Sequence, residues 1–542
     1  MKRSVFWFVL ITFFSFLGSC TEPDQETFSE DHLAGTDLLS ETEVEELRPR
    51  MLKGIFKYFE QALESSSQTR EIYWSRNYSS SAAYVKSVEP NRIRLKKVLG
   101  VVDKREDVEE LTLIEGTVLK ALVAETDLYN VYSVSWPVIE GVHGVGFWLE
   151  PHTNVRAQVI AVPDADWTPE MFIGLSPGVP VEAQFPKRLA ASGCRVIIPV
   201  LINRQALWSG NTEIQMTNQP HREFIYRRAY QMGRHIIGYE IQKVLAVVDW
   251  FTKKNRISST DLPIAVAGYG EGGLIAFNSA AIDTRIDGVL VSGYFQEREG
   301  VWEEPIYRNV WGLLNEFGDA EVASLIAPRQ LIIEACKGPD VDGPPTASAN
   351  QRNVAAPGRL TTSPLTSVRI EAQRAQKVFQ KLEVPEKIQV VVSGNGQGLP
   401  GSTEALQQLL TGIGCKTQIL PQQEMQLKDR RINFDPDSRL HIQFTELLGH
   451  IEKLIEQSPK QRKKFWNEGD HSSVQQWTVS VKSYRDYFWK EVIGQLPPPS
   501  QSFNPRTRLT YETSKWRGYW VELDVWPEII AGGVLLIPKD NF

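Results

Sequence analysis

From Val131 to Cys415 the sequence alternates short apolar runs with amphipathic segments, and this alternation limits the fold more than any other feature. Six runs are predicted strands: RAQVIAVPD, CRVIIPVLI, LPIAVAGYG, IDGVLVSGY, APRQLIIEAC and EKIQVVVSG. Of these, CRVIIPVLI is continuously apolar, as in a buried strand of a parallel sheet. Helical patterns separate them, including one predicted long helix over 222–254. Such alternation predicts an α/β fold with a mainly parallel sheet covered by helices on both faces. The preceding VYSVSWPV and HGVGFWLEP are expected to form an antiparallel pair.

The stretch AVAGYGEGGLIA (265–276) has the pattern of a tight strand–turn–helix elbow. In the motif G-x-S-x-G such an elbow presents a nucleophilic serine, and the flanking positions are small because the turn is strained and crowded. The turn here comprises Gly268, Tyr269, Gly270, Glu271, Gly272 and Gly273. Gly270 stands in the serine position, so the predicted nucleophile site is vacant.

Two other interpretations of this stretch are weaker. Glu271 as a nucleophile would place the bulky Tyr269 where a small residue is needed, and a first-turn acid favoured by the helix dipole explains it better. The glycines also spell G-x-G-x-x-G, but no acidic residue ends a strand about twenty residues later, as a dinucleotide site requires. We therefore predict no nucleotide cofactor.

The remaining members of a catalytic triad have expected positions of their own. An acid is expected after the strand 330–335, where Asp340 and Asp342 are candidates, although solvated loop residues are the simpler interpretation. A base is expected after the strand 388–392, yet SGNGQGLPGS contains no histidine. The loop after the strand 157–162 reads Pro-Asp-Ala-Asp in place of His-Gly.

With GYGEGG (268–273), the run 308–334 and the helix 222–250, the chain resembles the α/β-hydrolase superfamily over about residues 130–415. The likeness is to its acetyl xylan esterase-like and dienelactone hydrolase-like bacterial members. It implies an α/β-hydrolase fold with helical additions at both ends, and carboxylic ester hydrolysis.

Two interpretations of the function stay open. One is a degenerate hydrolase that serves as a scaffold or binds a small ester or polysaccharide. The other is an active esterase with a relocated nucleophile, Ser292 or Ser393, or with a partner chain.

Two pairs of segments repeat at an offset of about 390 residues. The stretch from Trp74 resembles that from Trp466, and 131–151 resembles 521–538. We predict a helical lead-in (47–130), a hydrolase domain (131–415), a helical extension (416–465) and the start of a second, truncated unit (466–542). Because relatives of this kind can carry two tandem units, a downstream-encoded second hydrolase unit is an expected partner.

The N-terminus predicts export and a lipid anchor. Lys2 and Arg3 precede the apolar run 5–17, and Leu-Gly-Ser-Cys follows, which is typical of a lipoprotein signal peptide (1–19) with lipidation of Cys20. We expect a bacterial cell-envelope protein, held at the outer membrane through an acidic tether (20–46).

The net charge of −7 argues against a nucleic-acid partner. No metal site is predicted, and the pairing of Cys194, Cys336 and Cys415 stays open.

Overall fold

The computed structural model describes residues 31–114, 121–421, 427–432 and 435–539. The chain divides into two compact units. The smaller unit contains described residues up to Ala62 together with 495–539, and the larger one spans Leu63–Gly494. The predicted signal peptide and Cys20 lie outside the described residues.

Strands and helices are numbered along the chain. The strands are β1 (Asp37–Leu38), β2 (Thr112–Leu113), β3 (Leu122–Glu125), β4 (Tyr129–Ile139), β5 (Val142–Pro151), β6 (Ala157–Val162), β7 (Cys194–Pro199), β8 (Gly210–Asn211), β9 (Gln215–Thr217), β10 (Ile264–Tyr269), β11 (Gly288–Ser292), β12 (Gln330–Ala335), β13 (Gln351–Arg352), β14 (Ile388–Val392), β15 (Lys428–Asp429), β16 (Arg506–Glu512), β17 (Trp516–Trp526) and β18 (Ile529–Pro538). The α-helices are α1 (Glu41–Thr69), α2 (Ser81–Ser87), α3 (Glu89–Val98), α4 (Pro169–Phe172), α5 (Phe185–Ala191), α6 (His221–Tyr230), α7 (Ile236–Ser258), α8 (Glu271–Ile282), α9 (Leu313–Glu316), α10 (Asp319–Ile326), α11 (Leu365–Lys381), α12 (Thr403–Gly412), α13 (Pro436–Phe465), α14 (Val474–Ser480) and α15 (Lys482–Tyr487), and a π-helical turn follows at Phe488–Ile493.

The larger unit is built around one sheet with the order β14-β12-β11-β10-β6-β7-β5-β4-β3-β15. β4 and β5 form the predicted antiparallel pair. The other strands of the main sheet's larger part are parallel to one another, in the order β14-β12-β11-β10-β6-β7. The predicted α/β class is therefore confirmed. Every residue of β6, β7, β10, β11 and β12 is buried, because helices cover both faces of the sheet.

The helix α8 lies directly behind the middle of this sheet. All of its residues are buried, which explains why the segment is apolar on every side rather than amphipathic. Two core clusters, one on each face of the sheet, contain most of the buried apolar side chains. The carboxyl ends of β6, β10, β11, β12 and β14 consequently meet along one edge, where the loops after them converge.

Several predicted boundaries were wrong. The long helix 222–254 is two helices, α6 and α7, because Gly233 adopts φ +68° and His235 caps α7 by accepting the Ile237 N–H. The lead-in 47–130 is not wholly helical, since β2 and β3 join the main sheet. Residues 41–46, which the prediction assigned to the tether, belong to α1. The extension 416–465 includes β15, which pairs with β3.

Cys194, Cys336 and Cys415 are buried free thiols. Within the described ranges, no helix combines the length and hydrophobicity needed to span a bilayer.

The smaller unit consists of the sheet β1-β16-β17-β18 and the described part of α1 up to Ala62. Arg50 of α1 binds the buried Glu522 through both carboxylate oxygens, at 2.8 and 2.9 Å. Tyr58 stacks on Trp526 with ring centroids 5.6 Å apart. The helix thus covers one side of the β17–β18 hairpin.

The three strands β16–β18 reproduce the register of β3–β5 residue for residue, 387 positions later. In β3–β4 the pairs Leu122↔Tyr132 and Ala124↔Val131 flank a bulge, and in β16–β17 Leu509↔Tyr519 and Tyr511↔Gly518 do so. The hairpins match as well: Pro137↔His143 and Ile139↔Val142 correspond to Asp524↔Ile530 and Trp526↔Ile529. Even the turn residues share a positive φ, +74° at Gly141 and +69° at Glu528.

The lead-in before the second hairpin repeats in the same way. Ser80 caps α2 by accepting the Ala83 N–H at 3.1 Å, and Ser473 caps α14 by accepting the Gln476 N–H at 3.1 Å. The Asn77 N–H reaches Ser87 as the Asp470 N–H reaches Ser480. The two predicted repeats therefore correspond to repeated local structure.

Candidate functional site

The predicted elbow lies at the carboxyl end of the central strand. β10 ends at Tyr269, α8 begins at Glu271, and Gly270 between them has φ 57° and ψ −116°, a conformation that L side chains rarely adopt and that is strained for them. A Cβ on Gly268 would lie 2.0 Å from the Gly272 carbonyl oxygen, and one on Gly272 would lie 2.1 Å from that of Val162. These positions must be small for the strand, turn and helix to pack together.

Strand order and elbow together decide the fold. The sheet begins with an antiparallel pair, continues in parallel strands that cross over once, and places the strained turn after the central strand β10. The chain has the α/β-hydrolase fold. Its elbow is complete in backbone geometry and lacks only the nucleophilic side chain.

The sequence matches no protein-family model and has no significant match among curated proteins. Among solved structures, the α/β-hydrolase chain is similar to a putative acetyl xylan esterase from Bacteroides fragilis NCTC 9343, with 12% identity, a TM-score of 0.42, and 67% of this chain and 90% of that one covered. It is also similar to the methylesterase BT1017, with 14% identity, a TM-score of 0.41, and 71% of this chain and 73% of that one covered. A third similar structure is a CE15 glucuronoyl esterase from Caldicellulosiruptor kristjansonii, with 13% identity, a TM-score of 0.38, and 66% of this chain and 91% of that one covered. These TM-scores are all below 0.5, so the fold assignment rests on the strand order and the elbow.

The position that a nucleophile occupies in this fold is closed by neighbouring side chains. A Cβ built on Gly270 would lie 2.4 Å from Cγ of Pro339 and 2.5 Å from Oδ1 of Asp164. Pro339 belongs to the loop after β12, and Asp164 to the loop after β6. Neither leaves room for even the first atom of a side chain, so the space that a serine would use is filled from two directions.

Asp164 also occupies the position of an oxyanion. In α/β-hydrolases the N–H of the residue after the nucleophile helps to bind the oxyanion, together with an N–H from the loop after the third strand of the sheet. Here that first donor is the Glu271 N–H, and it donates to Oδ1 of Asp164 at 2.9 Å. The side chain of Asp164 is nearly completely buried. A built-in carboxylate therefore holds the donor that a substrate's oxyanion would need.

Arg204 fixes that carboxylate in place. Its guanidinium donates two hydrogen bonds to Asp164, at 2.6 and 3.0 Å, and a third to Asp166 at 2.9 Å. Its Nε donates to the Tyr307 hydroxyl at 2.9 Å. Planar, bidentate pairing of this kind is strong and geometrically specific.

Glu271 is surrounded by three arginines in the core. Its carboxylate is fully buried and accepts from Arg222 at 3.0 Å and from Arg308 at 3.0 Å, with Arg204 at 3.4 Å. We call Asp164, Arg204, Arg222, Glu271 and Arg308 the buried ion cluster. It lies directly behind Gly270, where the sequence had indicated only a first-turn acid.

The cluster keeps both carboxyl groups ionised. Burial by itself raises the pKa of Asp164, but the charge and hydrogen bonds of Arg204 outweigh it and lower this pKa from 3.8 to about 2. Burial acts on Glu271 in the same direction, and the charges of Arg308, Arg222 and Arg204 lower its pKa from 4.5 to about 2. Burial opposes the charge of Arg204 too, yet the attraction of Asp164 raises the pKa of Arg204 well above its ordinary value. Neither carboxyl group is therefore available as a proton carrier near neutral pH.

The structure places the candidate triad acids on the surface and the hydroxyls of both candidate serines against a carboxylate. Asp340 and Asp342 lie in the loop after β12 and are exposed, which agrees with the interpretation as solvated residues. The Ser292 and Ser393 hydroxyls both donate to the buried Glu334, at 2.6 and 2.8 Å. Glu334 also accepts the N–H groups of 401 and 402. The loop that would carry a catalytic histidine is thus anchored on a structural carboxylate.

The histidines nearest to this edge of the sheet have structural roles. Nδ1 of His221 lies 2.7 Å from Oδ1 of Asn203, Nε2 accepts the Trp208 N–H at 3.0 Å, and the ring stacks on the Trp208 indole. Burial lowers the pKa of His221 to about 3. His235 is the cap of α7, and burial lowers its pKa to about 4. Both rings are therefore neutral and already committed to hydrogen bonds.

Two cavities open beside the buried ion cluster. The larger, of about 480 Å³, is lined by residues that include Trp167, Thr168, Asn203, Gln205, Arg204 and Asp437. The smaller, of about 310 Å³, includes Tyr307, Glu223 and Asp342 in its lining and shares Arg204 and Pro345 with the larger one. The larger cavity has the size of a small-ligand site, with an aromatic ring and a few convergent polar groups.

Sequence reasoning located the elbow, the loop with Asp164 and the missing histidine. It missed the partners in the buried ion cluster and the role of Pro339. The available signal was an arginine close to apolar residues, as in LINRQA (201–206) and IYRNV (306–310), since a buried arginine requires an acidic partner.

Proposed function

We propose that this α/β-hydrolase-fold protein does not hydrolyse esters and instead uses the cleft at the carboxyl edge of its sheet to bind a ligand. The single observation that carries the proposal is the hydrogen bond from the Glu271 N–H to Asp164. A serine missing from the elbow leaves room for relocated chemistry, whereas a carboxylate bound to the oxyanion donor blocks it for any nucleophile at this site.

The test is an activity assay on the purified protein. We expect no turnover of p-nitrophenyl acetate above the rate of a heat-denatured sample, and no serine labelled by a fluorophosphonate probe. The alternative of an active esterase predicts turnover that Ser292→Ala or Ser393→Ala abolishes. Labelling of either serine, or activity that one of these variants removes, would refute the proposal.

The larger cavity suggests the ligand class. Trp167 offers an apolar ring, and Gln205, Asn203 and Asp437 offer hydrogen-bonding groups around it, which suits a sugar unit of a polysaccharide or its acetyl ester. Binding is measured by calorimetric titration with acetylated xylo-oligosaccharides. Gln205→Trp fills the cavity and is expected to abolish binding. The matched control is Leu207→Trp, because Leu207 is 60% exposed and does not line the cavity. Equal binding by both variants would exclude this cavity.

We further propose that the protein is anchored in the bacterial envelope by lipid on Cys20. The signal-like segment before this cysteine supports the proposal. Expressed with its leader in a Gram-negative bacterium, the protein should incorporate an alkyne fatty acid and fractionate with membranes. Cys20→Ser should lose both properties, and an unlabelled wild type would contradict the anchor.

A further inference from the structure

Among the residues that the structure describes, one edge of β18 in the smaller unit is unpaired. Within these residues β18 pairs only with β17, at the end of the sheet β1-β16-β17-β18. In the register repeat its counterpart is β5, which pairs with β4 on one side and, antiparallel, with β7 on the other, through residues 146–149. The residues of β18 that correspond to this second pairing are 533–536.

The side chains at 534–536 are apolar, as expected for a strand that neighbouring elements cover. Val534, Leu535 and Leu536 are 43%, 45% and 56% exposed, whereas Phe147 and Leu149, the counterparts of Val534 and Leu536, are fully buried. Apolar residues on both faces of one strand are typical of a strand with neighbours and helices around it. An exposed edge of this kind is a template for pairing.

The glycine at position 533 of β18 matches a glycine of β5 that a neighbouring strand requires. Gly146 in β5 must be glycine, because a Cβ there would lie 2.0 Å from the carbonyl oxygen of Ile198 in β7. Its counterpart in β18 is Gly533, which has no heavy atom within 4 Å of the corresponding Cβ position. Glycine weakens a strand unless another backbone approaches closely. Nothing in the described surroundings of Gly533 requires one.

The second lead-in shows the same contrast in the larger unit. Leu95 of α3 is fully buried, and α3 packs against α8. In the lead-in repeat, where Ser473 corresponds to Ser80, the counterpart of Leu95 is Phe488, which is 54% exposed. Apolar positions that contact a hydrolase core in the first copy are exposed in the second.

We propose that the edge of β18 at residues 533–536 is a docking site for an α/β-hydrolase core, which inserts a strand equivalent to β7 antiparallel to β18. The occupant is a second core of the same fold that lacks its own equivalents of β3–β5, and β16–β18 complete its sheet. Recognition comes from main-chain hydrogen bonds along the edge and from apolar contacts on both faces.

The probe is a fluorescein-labelled peptide of residues 192–204 with Cys194→Ser, which contains the chain's own β7. It is titrated into the full-length protein by fluorescence anisotropy, and hydrogen exchange is measured in parallel. We expect saturable binding that protects the amides of 533–536. Gly533→Val places a branched side chain where the incoming carbonyl must pass and should weaken binding at least about tenfold.

The matched control is Ala531→Val on the same strand. Ala531 corresponds to Gly144, outside the segment of β5 that pairs with β7, so binding should change less than about twofold. Both variants leave the pairing of β17 and β18 unchanged, which their circular dichroism and melting temperature verify. Absent binding, equal loss in the two variants, or protection elsewhere would overturn the proposal. Concentration-dependent dimerisation that protects 533–536 without peptide would assign the edge to a second copy and overturn it as well.

Discussion

Replacing Asp164 by asparagine tests whether the buried ion cluster holds the site closed. The change keeps the shape of the side chain and an oxygen that can accept the Glu271 N–H. It removes the negative charge that lies between Arg204 and the elbow, and it turns an amide group towards a guanidinium that can only donate. Asp166→Asn is the matched control, because Asp166 binds the same Arg204 but its side chain is 46% exposed.

The expected cost follows from two estimates. The pKa of Asp164 falls from 3.8 to about 2 on folding, and a shift of this size corresponds to about 2 kcal/mol of stabilisation by ionisation alone. Leaving one partner of a buried ion pair uncompensated costs about 3–5 kcal/mol. We therefore expect Asp164→Asn to lower the free energy of unfolding by about 2–5 kcal/mol, and Asp166→Asn by less than about 1 kcal/mol.

The assay is urea unfolding at pH 7, followed by tryptophan fluorescence. The midpoint for Asp164→Asn should fall well below that of the wild type, while Asp166→Asn should nearly coincide with it. Hydrogen exchange of the Glu271 amide gives a local readout, since this amide should exchange faster when its acceptor is weakened. Equal and small effects of the two variants would refute the idea that Asp164 is the central anion of the site.

Two further predictions concern the same site. Gly270→Ala should lower the unfolding free energy by about 2–5 kcal/mol, because it combines a positive φ with a clash. Gly300→Ala, at φ −87° with open space around it, should change it by less than about 0.5 kcal/mol in the same urea titration. The folded-state pKa values of Asp164 and Glu271 lie below their unfolded values of 3.8 and 4.5, so their stabilisation is complete above pH 4.5 and is lost as the pH falls to about 2. Urea midpoints measured across this window should fall less steeply for Asp164→Asn/Glu271→Gln than for the wild type, and parallel curves would contradict the assignment.

The sequence predicted the parts of the fold that depend on local pattern. Continuous apolar runs identified the buried strands of the main sheet, and the spacing of small residues located the elbow at Gly270. The break between α6 and α7 was missed because both flanking segments have helical patterns and only five residues, 231–235, with Gly233 at positive φ, separate them. β3 and β16 were missed because each is short or half exposed and is fixed by its neighbour rather than by its own pattern.

The candidate site was less predictable because it depends on contacts between distant segments. Arg222 and Arg308 lie 49 and 37 positions from Glu271 along the chain, and no local pattern joins them. Sequence reasoning could state that a serine and a histidine were missing. It could not state that Asp164 and Pro339 fill the space, which is the difference between an empty active site and an occluded one.

Gly270 retains the backbone conformation of a working elbow although nothing in the turn can attack a substrate. A serine–histidine triad at this elbow would require a serine at 270, a smaller residue at 339, a different anchor for Arg204 than Asp164, and a histidine in the loop after β14. Any one of these changes alone would only destabilise the core or have no effect. Under the proposed function, no single substitution would therefore create a working triad at this elbow, because the other obstructions would remain.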